Sequence, residues 1–330
     1  MVTLRKRILF ALLMAVLPLT SGCTKHSKKE RYYLVSTNTD VGYWKTVAAG
    51  FQKAGDEYGV TAEMRGPGKF DSQGEVAAFR AVVALKPTGI IVSVSNSALM
   101  APEIDAAIDA GIPVITVDSD SPASKRLYFI GTNNLEAGRL GGHRLAAQLN
   151  GKGNVAFFSN PGQPNLDERL KGYRETFAGY PGIKVVEVFD MKGDTGTAMD
   201  KTTEYLARTG ADKVDAIVCL ESSSAKDVGE VFKRLKVKDR LLIAMDLDVG
   251  TLLLVKDGII DSTISQKPYT MGFLGLKALD EIHHYPVRLA GDYGLDPFAP
   301  FPAFIDTGVS LVDKNNVDPL LERVRAVELQ

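Results

Sequence analysis

Two aspartates carry the most chemical information in this sequence. Asp118 follows the apolar run Val114-Ile115-Thr116-Val117, and Asp246 follows Leu241-Leu242-Ile243-Ala244-Met245. A carboxylate in such a place is unusual unless a partner satisfies its charge. Three chemistries fit. Two carboxylates facing across a cleft serve glycoside hydrolysis. They also accept paired hydrogen bonds from neighbouring hydroxyls of a polyol. The third account is structural: turn or helix-cap aspartates, for which Asp118-Ser119-Asp120-Ser121-Pro122 has the composition.

Positioning such groups requires strands that end where the aspartates sit. From Tyr32 onward, short β-branched runs alternate with helical stretches. Strands are expected at 32–36, 61–65, 89–93 and 113–118, with helices at 43–58, 71–85 and 102–110. The plan then repeats, with strands at 154–159, 183–189, 216–219 and 241–246 and helices at 166–177, 197–208 and 223–235. Offsets between matching strand ends are nearly constant: Ser36 to Ser159 is 123 residues, Ser93 to Cys219 is 126, and Asp118 to Asp246 is 128. The fold class that follows is α/β, two Rossmann-like doubly wound lobes. Ligands of open α/β sheets bind beyond the carboxyl ends of the strands, where Ser36, Ser93, Asp118, Ser159, Glu221 and Asp246 lie. The cleft between the lobes is the expected site.

The 330 residues are 45% hydrophobic and 24% charged, which places the chain among globular proteins with core enough for two domains. Lys and Arg number 39 against 40 Asp and Glu, so no basic stripe is available for a phosphate backbone, and nucleic acid is not an expected partner. No Gly-rich dinucleotide or Walker loop, Gly-x-Ser-x-Gly elbow or His-Glu-x-x-His helix occurs, so an enzyme is not expected, nor a cofactor. His283-His284 reads as a solvated pair near a helix end, since no further ligand cluster for a zinc site is visible in the sequence. Cys219 reads as a small buried hydrophobe, and two cysteines exclude a disulfide framework.

At the amino end, Arg5-Lys6-Arg7 and the apolar run Ile8–Leu19 have the form of a secretory signal too short to span a bilayer, which takes about 20 apolar residues. The ending Leu19-Thr20-Ser21-Gly22-Cys23 resembles the lipobox of bacterial lipoproteins, with Thr20 where leucine is commoner. It implies cleavage after residue 22 and lipidation of Cys23. Removal of residues 1–22 leaves 36 basic against 40 acidic side chains, a charge of −4. Residues 23–30 then read as a lipidated polar tether.

Five segments in order resemble the periplasmic monosaccharide-binding proteins of the ribose type, a fold shared with the effector domains of LacI-type repressors. They are Ser36-Thr37 with Tyr43-Trp44, Val114–Asp118, Arg169-Leu170-Lys171-Gly172-Tyr173, Met245-Asp246, and Ser262–Pro268. The resemblance implies three hinge crossovers, with one lobe at 31–132 plus 267–292 and the other at 133–266 plus 293–330. It implies that Tyr43 and Trp44 cover the apolar faces of a sugar ring, that Arg169 forks towards ring or hydroxyl oxygens, and that Gln266 touches sugar. Asp118 and Asp246 would bind hydroxyls. Departures bear on the ligand: Ser119 and Thr195 stand where the ribose type has arginines, and Glu221 where asparagine is usual. A more acidic pocket for a neutral monosaccharide or cyclitol follows, with sugar acids and phosphates disfavoured.

The expected binding set is therefore Ser36, Asp40, Tyr43, Trp44, Ser93, Asp118, Ser119, Arg169, Glu221, Asp246 and Gln266, with Asn96 on a neighbouring loop. The implied function is an extracytoplasmic solute-binding lipoprotein, a monomer, touching the membrane through its lipid alone and feeding an ABC transporter permease. A sugar-sensing lipoprotein for chemotaxis or signalling and a carbohydrate-active enzyme are the alternatives. A repressor would need an amino-terminal helix-turn-helix where the signal and tether stand.

Overall fold

The computed structural model describes residues 26–285 and 300–328. The first half runs β1 (Arg31–Val35), α1 (Gly42–Tyr58), β2 (Thr61–Arg65), α2 (Ser72–Ala84), β3 (Gly89–Val92), α3 (Ser97–Asp109), β4 (Val114–Val117) and β5 (Phe129–Gly131). The second runs α4 (Asn134–Gln148), β6 (Lys152–Ser159), α5 (Pro164–Phe177), β7 (Gly182–Asp190), α6 (Thr195–Ala207), β8 (Ala216–Cys219), α7 (Ala225–Arg234), β9 (Leu241–Met245), α8 (Val249–Lys256) and β10 (Ser262–Ser265). The chain ends with α9 (Pro268–His284), β11 (Phe304–Asp306), β12 (Ser310–Asp313) and α10 (Val317–Glu328).

Two six-stranded sheets result, in the orders β11-β5-β4-β3-β1-β2 and β12-β10-β9-β8-β6-β7. Every pairing is parallel except β10 with β12. The strands are apolar on both faces because helices cover both. In the first sheet Leu34 and Ile91 face Val47 and Phe51 of α1 and Leu276 of α9. Their neighbours Val35 and Ile90 face Phe79 of α2 and Met100 and Ile104 of α3. The second sheet splits its two adjacent phenyl rings the same way. Phe158 packs with Tyr205 and Phe232, and Phe157 with Tyr173 and Phe177. Each such ring is worth about 1.5–3 kcal/mol on leaving water.

The helices that follow two of the crossovers, α4 and α9, each lie very close to a partner. A Cβ on Gly272 of α9 would sit 2.0 Å from the Val47 carbonyl oxygen of α1, and one on Gly138 of α4 would sit 2.0 Å from that of Arg169 in α5. The second approach fixes where α5 presents Arg169 to the cleft. Among the described residues the main chain passes between the sheets three times, from β5 to α4, from β10 to α9, and from β11 to β12.

Several boundaries differ from the sequence expectation. Asn96 does not face a pocket: its side chain accepts from the Leu99 amide at 3.2 Å and starts α3 at Ser97, leaving Pro102 inside the helix. The segment 293–330 does not belong wholly to the second lobe, because β11 joins the first sheet beside β5 and Phe304 stacks on Phe129 with centroids 5.0 Å apart. Only β12 and α10 return to the second lobe, where Val312, Val317 and Leu321 complete its core. Residues 26–30 are docked and not a free tether: Lys28 Nζ donates to the Val60 carbonyl at 3.0 Å, and Thr61 Oγ1 to that of Lys28 at 2.9 Å. The signal segment and Cys23 lie outside the described residues. No helix among the described residues is long and apolar enough to cross a membrane.

Candidate functional site

Asp118 and Asp246 occupy equivalent places in the two sheets, down to their backbones. Each lies just past a central strand, each amide donates to the next strand (Asp118 to Ile130 at 3.1 Å, Asp246 to Ile264 at 2.9 Å), and each is left-handed, with φ of 64° and 71°. A residue with a Cβ gives up about 1 kcal/mol or more in that conformation, although aspartate tolerates it better than most. The left-handed turn directs both carboxylates into one pocket between the lobes, and both are buried.

The carboxylates are held by different partners. Asp118 Oδ1 accepts from the Tyr43 hydroxyl at 2.6 Å, and Oδ2 from Asn165 Nδ2 at 3.1 Å, with Ser93 Oγ at 3.5 Å. Asp246 Oδ1 accepts from Gln266 Nε2 at 2.9 Å. Burial raises the pKa of Asp118, with Arg169, Tyr43 and Ser93 opposing it. Burial also pushes Asp246 up to about 7; Arg169 and Gln266 work against this, and the negative charges of Asp118 and Glu221 add to it. Tyr43 remains a neutral donor, its hydroxyl held well above the ordinary range by burial and then by the two aspartates.

Arg169 is the cation of this site. It is buried, and not in a surface ion pair with Asp167 or Glu168. Its Nε donates to Asn134 Oδ1 at 2.8 Å and its Nη1 to the Leu220 carbonyl at 2.7 Å, which locks the guanidinium from behind. Nη2 makes no hydrogen bond, nor do the side-chain oxygens of Asn165 and Gln266, although all three atoms are buried in residues that line the pocket. Buried polar atoms without partners are costly. Here two acceptors and one donor converge beside two carboxylates.

Of the residues expected from sequence, Tyr43, Trp44, Asp118, Arg169, Glu221, Asp246 and Gln266 line the pocket. Tyr43 and Trp44 meet edge to face, centroids 5.3 Å apart. Glu221 is less free than expected: its Oε2 accepts from the Ser223 amide and hydroxyl and its Oε1 from the Ser224 amide at 2.9 Å, so the carboxylate also ties the turn before α7. Ser36, Asp40, Ser93 and Ser119 are not in the lining. Ser93 stands behind Asp118, Ser119 Oγ turns away to donate to the Val94 carbonyl at 2.6 Å, and the Asp40 carboxylate lies against Gly68 in an exposed turn. Ser36 is fully buried just past β1, and its hydroxyl has no hydrogen-bond partner.

The lining also includes residues that the sequence did not single out, chiefly Asn160, Gln163, Asn165 and Phe70. A signal for the amides existed. Asn160-Pro161-Gly162-Gln163-Pro164-Asn165 packs three amides into the connection after β6, but the helix begins at Pro164 and not at Leu166, which carries Asn165 into the cleft. Phe70 had no such signal. It packs across the cleft on Gly193, where φ is +74° and a Cβ would come within 2.7 Å of the Phe70 side chain.

The chain matches a family described as periplasmic binding protein domain over residues 32–283. The xylose/arabinose-binding protein XylF of Sulfolobus acidocaldarius is 27% identical over 259 residues, covering 73% of this chain and 60% of that protein. This chain thus spans about three fifths of that curated relative. A sugar ABC transporter sugar-binding protein from Bacillus halodurans is 33% identical in its crystal structure, with a TM-score of 0.75 over 88% of this chain and 99% of that one. An ABC transporter solute-binding protein from Burkholderia graminis, in complex with D-arabinose, is 28% identical with a TM-score of 0.80 over 89% and 98%. With the match running from β1 through α9, and so through both lobes and the cleft, the chain belongs to the periplasmic binding protein family.

Proposed function

We propose that this protein captures a neutral monosaccharide or related polyol between its two lobes and delivers it to an ABC importer. The observation that carries this is the set of unpartnered Arg169 Nη2, Asn165 Oδ1 and Gln266 Oε1 around Asp118 and Asp246. A sugar hydroxyl both donates and accepts, so one ring can satisfy all of them together. Trp44 and Phe70 supply apolar surface for the C–H faces of the ring. Three carboxylates against one arginine disfavour sugar acids and phosphates. Pentose-binding relatives support a small ring. Binding without chemistry agrees with the transport role of those relatives, and the two aspartates are engaged as hydrogen-bond acceptors of Tyr43, Asn165 and Gln266. The amino-terminal sequence supports an extracytoplasmic lipoprotein anchored through Cys23.

The test uses the single tryptophan. Trp44 fluorescence is followed while pentoses, hexoses, amino sugars and inositols are titrated, with sugar acids and nucleosides as controls. We expect a saturable change for a neutral sugar with a dissociation constant near micromolar, about −8 kcal/mol, and its loss in Asp246→Ala. A folded protein that gives no heat in calorimetry with any of the panel overturns the assignment.

A further inference from the structure

At the end of the first lobe farthest from the cleft, where the strands of the first sheet begin, side chains from the segment before β1 meet side chains from the end of α9. His26 and Glu30 precede β1; Asp280 and His284 are one turn apart near the end of α9. His26 Nε2 lies 2.9 Å from Asp280 Oδ2, His284 Nε2 lies 3.0 Å from Glu30 Oε2, and His284 Nε2 lies 3.7 Å from Asp280 Oδ1. The Asp280 carboxylate is 4% exposed, His284 8%, Glu30 12% and His26 31%.

We propose that His26, Asp280 and His284 form a binding site for a divalent transition metal of the zinc class, with Glu30 holding His284 from outside. Zinc takes nitrogen and carboxylate ligands at about 2.0–2.2 Å, which places the ligands of a tetrahedral ion roughly 3.3 Å apart. The 2.9 and 3.7 Å separations of His26 and His284 from Asp280 bracket that spacing, and the ligand atoms of the three residues all lie within 4.8 Å of one another. Two neutral imidazoles and the Asp280 carboxylate supply three ligands, as in zinc sites whose fourth position is taken by water. Without an ion the same contacts serve as hydrogen bonds from neutral imidazole Nε2–H groups to the carboxylates, which an arriving metal would replace.

The surroundings fix the ligands as metal sites require. Asp280 Oδ1 accepts from the Tyr32 hydroxyl at 3.3 Å, and the His26 ring stacks on Tyr58 with centroids 4.8 Å apart and planes within 7°. The sequence could not show the cluster, because its halves are 254 positions apart. Its consequence is a staple between residues 26–30 and α9. On the lipoprotein reading, which this clause alone rests on, the anchor would be three residues from the staple, and the metal would hold the first lobe in a fixed attitude to the membrane.

The experiment is calorimetry with Zn2+ alone on the metal-stripped protein, purified without a polyhistidine tag, alongside His26→Ala, His284→Ala and the control His143→Ala. The expected result is one ion per chain in the wild type and the control, a Zn2+-dependent rise in melting temperature, and at least tenfold weaker binding in His26→Ala. Substitution of Co2+ should give visible d–d absorption of low-coordinate nitrogen and oxygen ligation, lost in His26→Ala. His26 is half outside the core, so that variant keeps its fold and remains informative if His284→Ala does not. Absence of saturable Zn2+ binding, or equal binding in His26→Ala, overturns the site whether or not the protein binds sugar.

Discussion

Asn165 Nδ2 donates to Asp118 Oδ2 at 3.1 Å, and this hydrogen bond joins the two lobes, since Asn165 opens α5 in one and Asp118 follows β4 in the other. The same carboxylate is held from its own lobe by Tyr43. Asp118 therefore senses both walls of the cleft. A group with this role stabilises the closed form and contributes little to either lobe alone, which is what a capture device needs.

Replacement of Asn165 with Ala should then weaken sugar binding without destabilising the ligand-free protein. A hydrogen bond to a charged group is worth about 1.5–3 kcal/mol, which corresponds to roughly a 10- to 100-fold loss of affinity. Calorimetry gives the affinity, and small-angle scattering gives the shape, with a more open ligand-free form expected in the variant. Affinity within a factor of two of wild type would show that the cross-cleft bond is incidental.

Much of this arrangement is legible in the sequence, for physical reasons that also mark where legibility stops. Asp118 and Asp246 stand out because a charge after an apolar strand needs an explanation. Tyr43, Trp44, Arg169 and Gln266 come from ordered motif segments. Helix α4 was not foreseen because Gly138, Gly141 and Gly142 depress its helix propensity; those glycines exist for the close contact with α5, a tertiary demand. Helix α8 is apolar almost throughout and shows no 3.6 period. The three-residue β5 and β11 are too short to announce themselves, and β11 enters the first sheet through pairing with a strand some 170 residues earlier. Ser36 and Ser93 are expected in the site because they lie at strand ends, and Ser119 because it stands where the ribose type has an arginine. A strand end specifies a position, and only the next turn decides which way a side chain points.

The raised pKa of Asp246 makes sugar binding depend on pH. Its carboxyl titrates at about 7 because burial penalises the charge. The ionised form is the stronger acceptor for hydroxyls, so affinity should fall as pH falls through that value. If only the ionised form binds, the loss between pH 8 and pH 6 is about tenfold. Titrations at both pH values test this, and Asp246→Asn should bind weakly with the pH dependence removed. Persistence of the full dependence in Asp246→Asn would assign it to another group.

Glu75 offers a separate test, of stability, because it lies outside the pocket lining. It is buried on α2, where its Oε2 accepts from the Ser95 amide at 3.1 Å and from the Ser95 hydroxyl, while Oε1 has no hydrogen-bond partner. Burial pushes its pKa up to about 8, the two bonds from Ser95 opposing the shift. An acid whose folded pKa lies above its unfolded value stabilises the fold fully below the unfolded pKa, here the ordinary carboxylate range. That contribution is lost as pH rises through about 8. Ionisation therefore costs the folded protein up to a few kcal/mol at alkaline pH and almost nothing near pH 5. Glu75→Gln keeps an acceptor for the Ser95 amide and cannot ionise. Its melting temperature should match wild type within a degree or two at pH 5 and exceed it by several degrees at pH 9, as read by calorimetry without sugar. A difference that does not grow with pH would mean that Glu75 ionises in the fold as readily as in the unfolded chain, the helix moving to hydrate it.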